Sequence, residues 1–89
     1  MKSLSKELGA DGIRVNAVAC GTVDTPLVHE SAQASGDPEA FWKMLRNAHP
    51  IRRIASAEEV ASFFSYLASD YATFFTGAVL MLDGGYTAQ

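Results

Sequence analysis

Cysteine is almost missing from this chain: Cys20 is the only one in 89 residues. A single thiol excludes an intrachain disulfide framework and suits a reducing cytoplasm. Basic charge is also scarce. Seven Lys and Arg stand against ten Asp and Glu, a net charge of -3 with both signs interspersed. That balance argues against a nucleic-acid or membrane-surface role. The apolar run from Ala78 to Leu82 is far too short to cross a bilayer, and Met1-Lys2-Ser3-Leu4 opens a polar helix where a signal peptide would be apolar. Internal repeats and low-complexity segments do not occur. His29 and His49 do not form a metal-ligand spacing with Cys20, so no metal site is expected. What is present is ordinary for a globular chain, 48% hydrophobic residues with room for one domain, which excludes a disordered tail.

The chain is organised around residues 12 to 26. Ile13, Val15, Ala17 and Val18 form a short, mostly apolar run between Gly12 and Gly21. Such a run predicts a buried strand of a parallel sheet over residues 13 to 19, covered on both faces. The Gly, Thr, Asp and Pro that follow suit a sharply bent loop with exposed polar groups. In an open α/β sheet, ligands lie beyond the carboxyl ends of the strands, which places residues 20 to 26 at a ligand. A second apolar run, Ala78 to Leu82, predicts another buried parallel strand, and strands joined this way require a right-handed crossover.

Between the strands, Asp37-Pro38-Glu39 is an N-cap with Pro at the first helical position. It starts a short helix with Phe41, Met44, Leu45 and Ala48 on one side and Trp42 off that face. Ser56-Ala57-Glu58-Glu59 is a capping box, and Val60, Phe63, Phe64 and Leu67 follow at the spacing of a buried helical face. Residues 1 to 8 read as the last turns of a helix, with Gly9 and Gly12 as its stop and turn. Asn16, inside an apolar strand, must find hydrogen-bond partners. It reads as a structural amide tying the strand to a loop, with direct ligand contact as the other reading.

Gly-Ile-Arg-Val-Asn-Ala-Val followed by Gly21-x-Val23-x-Thr25-Pro26 resembles the sixth strand and following loop of the short-chain dehydrogenase/reductase family. Thr76-Gly77-Ala78-Val79-Leu80-Met81-Leu82-Asp83-Gly84-Gly85 is similar to that family's last strand and its Asp-Gly-Gly ending. Glu58-Glu59-Val60-Ala61 and Leu67-Ala68-Ser69-Asp70 match the joining helix, so three motifs stand in the family's order. The resemblance implies an α/β fold: the C-terminal portion of a Rossmann-type doubly wound parallel sheet, with its last two strands, connecting helices and a substrate lid over residues 27 to 50. It also implies that the chain starts part-way along the helix that carries the family's catalytic Tyr and Lys. Pro38 to Ala48 would then belong to the lid, whose inner face must be apolar to exclude water.

The family's catalytic signatures are not in these residues. Tyr66 is followed four positions later by Asp70, Tyr71 by Phe75 and Tyr86 by the end of the chain, so no Tyr-x-x-x-Lys occurs. Neither does a Gly-rich dinucleotide turn. The expectation is a chain with no catalytic residue of its own, contributing Cys20, Gly21, Val23 and Thr25 to an NAD or NADP site of an intact enzyme that acts on an alcohol or ketone. In the resemblance, Val23 pairs its backbone with the nicotinamide carboxamide and Thr25 offers its hydroxyl nearby. Thr25 has a second reading, as a cap of the turn before Pro26. Nothing adjacent to Cys20 would activate a thiol, so it reads as a small buried loop residue where the family usually has Pro. Arg52 stands where many relatives have Gly, which predicts a stiffer joint after the lid. The resemblance further implies a homo-oligomer built through the helix over 57 to 68 and the strand over 78 to 82. The other function class is a non-catalytic remnant that acts as an interaction module.

Overall fold

The computed structural model describes residues 1–88. The elements run α1 (Lys2–Gly9), β1 (Ala17–Cys20), β2 (Val23–Asp24), α2 (Pro26–Ala34), α3 (Pro38–Ala48), β3 (Ala55–Ser56), α4 (Ala57–Ala68) and β4 (Val79–Leu82). β1 and β4 pair in parallel, Ala17 opposite Val79 through Cys20 opposite Leu82. Everything between them is the crossover, so the fold is the α/β arrangement the two apolar runs predict.

The first strand is shorter than residues 13 to 19, and Asn16 explains why. Its Oδ1 accepts from Ala78 N at 3.1 Å while its Nδ2 donates to Phe75 O at 3.1 Å. One residue earlier, Val15 N donates to the Thr76 hydroxyl at 3.2 Å. Gly77 N still donates to Val15 O at 2.8 Å, but side chains interrupt the ladder around it, and the regular pairing begins at Ala17. Asn16 is therefore the structural amide. Arg14 adds to the clamp, donating to Leu67 O at 2.7 Å.

α1 reaches the start of β4 through a glycine contact. Gly77 has a φ of 70°, and a Cβ there would lie 2.8 Å from Ser5 Oγ. Ser5 is buried, its hydroxyl donating to Lys2 O at 2.7 Å, while the Lys2 ammonium bonds to Gly77 O. Only glycine meets both the backbone angle and the approach. α1 itself continues through Gly9, and the turn with positive φ falls at Gly12.

α4 starts as its capping box predicts: Ser56 Oγ accepts from Glu59 N at 3.1 Å and Glu59 Oε1 accepts from Ser56 N at 2.9 Å. Arg53 grips the same carboxylate with two bonds of 2.6 and 2.8 Å. That hydrogen bonding, from Arg53 first and the Ser56 backbone next, lowers the Glu59 pKa to about 2.

Three features depart from the sequence reading. Residues 27 to 50 hold two helices, because Pro26 starts α2 directly after the turn. β2 and β3 form a second parallel pair, Val23 opposite Ala55 and Asp24 opposite Ser56, which joins the loop after β1 to the start of α4. Finally, the strands are not covered on both faces by this chain. Val79 and Met81 are about half exposed, Phe64 on the predicted inner face of α4 is 50% exposed, and Ala32, Leu67 and Ala72 are the only buried apolar residues among those described. α4 packs on the β2–β3 pair and on the 3-10 turn Asp70–Ala72 that follows it, and Val79 and Met81 of β4 stay exposed. The radius of gyration is 16.3 Å. A compact domain of this length would have one of about 12 Å.

Candidate functional site

The site lies where β1 and β4 end. Parallel pairing carries both carboxyl ends to the same edge, and the ladder runs one step further, with Gly21 N donating to Leu82 O at 2.9 Å. Beyond it, Asp83 folds the second loop around its own carboxylate. Oδ1 accepts from Gly85 N at 3.0 Å, and Oδ2 accepts from Thr87 N at 3.1 Å and the Thr87 hydroxyl at 2.6 Å. These bonds, the Thr87 hydroxyl foremost, hold the Asp83 pKa below its ordinary value against the opposing effect of desolvation.

The Asp-Gly-Gly ending has a structural purpose in this loop. Gly84 and Gly85 have φ of 59° and 89°, and a Cβ on Gly85 would sit 3.0 Å from Pro50 Cγ. Ile51 N donates to Gly84 O at 3.0 Å. The segment that leaves α3 is thus pinned to the loop after β4. Arg52 stiffens it further, bonding from Nη1 to Asn47 O at 2.6 Å and His49 O at 3.4 Å.

α3 stands over this edge, and α2 packs on α3 and β2. Asp24 Oδ1 lies 2.6 Å from His29 Nε2, and the His29 ring packs on Trp42 at 4.9 Å between centroids. Trp42, off the apolar face of α3, is what joins the two helices. On the other side of α3, Met44, Leu45 and Ala48 line a cavity of about 740 Å³ whose far wall includes Cys20, Gly21 and Met81. The side of α3 that faces the cavity is thus the apolar one, without Phe41.

Of the four predicted site residues, the structure brings Cys20 and Gly21 to the cavity and leaves Val23 and Thr25 outside its lining. Cys20 is exposed and closes β1, which corrects its reading as a buried loop residue: the strand end faces the cavity, not a core. Thr25 occupies the N-cap position of α2, but its side chain makes no capping hydrogen bond. Val23 lies in β2. Alternate residues of a parallel strand turn their peptide groups to the partner. Since Ala55 N donates to Thr22 O at 3.0 Å, the N–H and C=O of Val23 face away from β3.

His49 and Asp83 belong to the site and were missed as functional residues. The sequence offers His49 only as a candidate metal ligand; among the described residues no group of three or more His, Cys, Asp and Glu is placed to hold a metal ion. No helix among them is long and apolar enough to cross a membrane.

Loops at the carboxyl ends of parallel strands, under helices from the crossover, are the ligand-binding end of a Rossmann-type α/β domain. A family model described as enoyl-(acyl carrier protein) reductase matches residues 1–87. The chain belongs to the short-chain dehydrogenase/reductase family. It is 47% identical over 87 residues to cis-4-hydroxycyclohexanecarboxylate dehydrogenase of Sinomonas cyclohexanicum, covering 98% of this chain and 32% of that protein. It is 44% identical over 86 residues to dehydrogenase/reductase SDR family member 6 of Rattus norvegicus, covering 97% and 35%. Among solved structures, L-sorbose reductase from Gluconobacter frateurii, complexed with NADPH and L-sorbose, superposes with a TM-score of 0.91 at 34% identity, covering 99% of this chain and 36% of that one. The chain spans about a third of the length of the relatives it matches.

Proposed function

We propose that this chain supplies the nicotinamide-side loop and the substrate lid of an NAD- or NADP-dependent oxidoreductase acting on a small alcohol or ketone. The observation that carries the proposal is the cavity between the apolar face of α3 and the carboxyl ends of β1 and β4. A carboxamide needs one donor and one acceptor in a fixed frame. The outward N–H and C=O of Val23, held in place by the β2–β3 pair, fit that need, and the Thr25 hydroxyl is next to them without a capping bond. Gly21 and Cys20 form the floor. When bound, the nicotinamide would supply the hydride chemistry. The residues of this chain hold and orient it, and Met44, Leu45 and Ala48 exclude water from the reacting end.

A chimera tests this: residues 1–87 replace the aligned segment of the Sinomonas dehydrogenase, which supplies the rest of the fold. The expected result is nicotinamide-dependent oxidation of a secondary alcohol and binding of NAD(H) or NADP(H). A folded chimera that binds neither cofactor would overturn the reading.

The exposed face of α4 and β4 supports a second element, a twofold interface in the assembled enzyme. Ser62 and Ser65 are exposed and small, Phe64 beside them is half exposed, and Val79 and Met81 present apolar side chains on β4. A solvated helix face would more often carry charge, and small residues let a second helix approach. Twofold symmetry would set Ser65 near its own copy. In the chimera, Ser65→Arg is expected to halve the assembly size by light scattering while the thermal melt stays cooperative; an unchanged assembly size would remove the interface. The same surface supports the alternative, a remnant that only joins the oligomer of an intact relative. Co-purification with that relative, together with an inactive chimera, would favour it.

A further inference from the structure

His49 is a buried side chain that the proposed function leaves unused. It is 4% exposed, and its Nδ1 bonds to Leu45 O at 2.8 Å. A carbonyl partner requires the proton on Nδ1. The Nε2 edge of the ring faces Gly21: a Cβ on Gly21 would lie 3.0 Å from His49 Nε2 and 3.0 Å from Asp83 Cα. The other side of the ring packs on Tyr86 at 5.7 Å between centroids and stands within 4 Å of a Cβ placed on Gly84. One imidazole thus fills the angle between the end of α3, the loop after β1 and the loop after β4. Its neighbours hold it there: Arg52 bonds to its carbonyl, and Ile51 is tied to Gly84.

We propose that His49 is a positioning residue that couples the seating of the lid helix to the geometry of the cofactor loop, through the contact of its Nε2 edge with Gly21. The inference rests on the function proposed above. Close-packed groups transmit displacement because neither can yield without moving its neighbours. When α3 settles over a substrate, His49 moves with Leu45 and presses on Gly21, two residues before Val23. Glycine at position 21 makes room for the ring, so each residue accounts for the other.

The test uses the chimera with the Sinomonas dehydrogenase, NADH and NADPH as cofactors, and the hydroxy acid of that relative's name as the lid ligand, a pair that cannot react. The readout is the ratio of cofactor Kd without and with saturating hydroxy acid. A ratio on the order of tenfold is expected for the unmodified chimera, as is typical of coupled sites. His49→Asn keeps a donor for Leu45 O but withdraws the edge that touches Gly21; its ratio is expected to fall to about one with the fold intact. Gly21→Ala should disturb coupling and cofactor binding together. The double variant Gly21→Ala, His49→Ala should lose less binding than the two single changes added, because the new methyl enters the space the ring has left. A His49→Asn variant with the full ratio would show that the ring only caps α3 and would overturn the inference. So would an unmodified chimera that binds cofactor with a ratio near one, while the functional reading stands. A folded chimera that binds no cofactor would overturn both.

Discussion

By itself, the 89-residue chain is expected to give no NADH- or NADPH-linked turnover with any alcohol or ketone. An enzyme of ordinary speed would show about 10 turnovers per second, so the expected effect is the whole of the activity. The reason is chemical. Reduction of a carbonyl requires a proton at the oxygen, and a positioned acid or base contributes roughly 10²- to 10⁴-fold. Two titratable groups at the cavity, Asp83 and His49, are already engaged. Both Asp83 oxygens are engaged with Gly85 and Thr87 in its own loop, and the His49 Nδ1 proton is committed to Leu45 O. Tyr86 packs against His49, and neither Tyr66 nor Tyr71 has a lysine four residues on. The pyrophosphate cradle is missing too, because no Gly-rich turn in these residues leads into a helix that could form one. The measurement is absorbance of the reduced nicotinamide over a panel of alcohols and ketones. A steady rate above a protein-free control would refute the expectation.

A second large effect is expected in solution behaviour: the isolated chain should associate in a concentration-dependent way and melt without a sharp transition. The accessible surface is 6234 Å². A folded monomer of this mass would expose about 5,000 Å², and the surplus approaches what a stable protein–protein contact buries. Much of it is apolar. Tyr71 and Phe74 are 88% and 102% exposed, and Met44, Val79 and Met81 are all more than half exposed. β1 pairs only with β4 among the described residues, so its other edge offers unpaired peptide groups to a second chain. Light scattering across a concentration series, with thermal melting by circular dichroism, measures both. A cooperative monomer at high concentration would contradict it, and the apolar faces would then need another explanation.

These two expectations are linked to how much of the protein its sequence discloses. Local signals were legible because they depend on residues within one or two turns. The Ser56 and Glu59 capping box and the Asp37 cap each involve neighbours in the chain, and each appears where those residues stand. Asn16 was legible for a related reason: an amide in an apolar strand must be satisfied, and the available partners were the loop ends beside it. The two parallel strands and the apolar side of α3 followed from side-chain period alone.

Tertiary structure decided the rest. The β2–β3 pair is only two residues on each strand, too short to leave a periodic trace, yet it sets the direction of the Val23 peptide groups. The exposure of Cys20 and of β4 depends on which helix covers which face. A run such as Val79 to Leu82 reads as buried whether its cover comes from this chain or from another. His49 shows the limit most clearly. Nothing in the sequence joins it to Gly21 or to Asp83; only the folding of α3 back over the ends of β1 and β4 puts its ring against both loops. Sequence determines the elements because propensity and capping are local, whereas the site is made of contacts between segments far apart in the chain, which no local preference records.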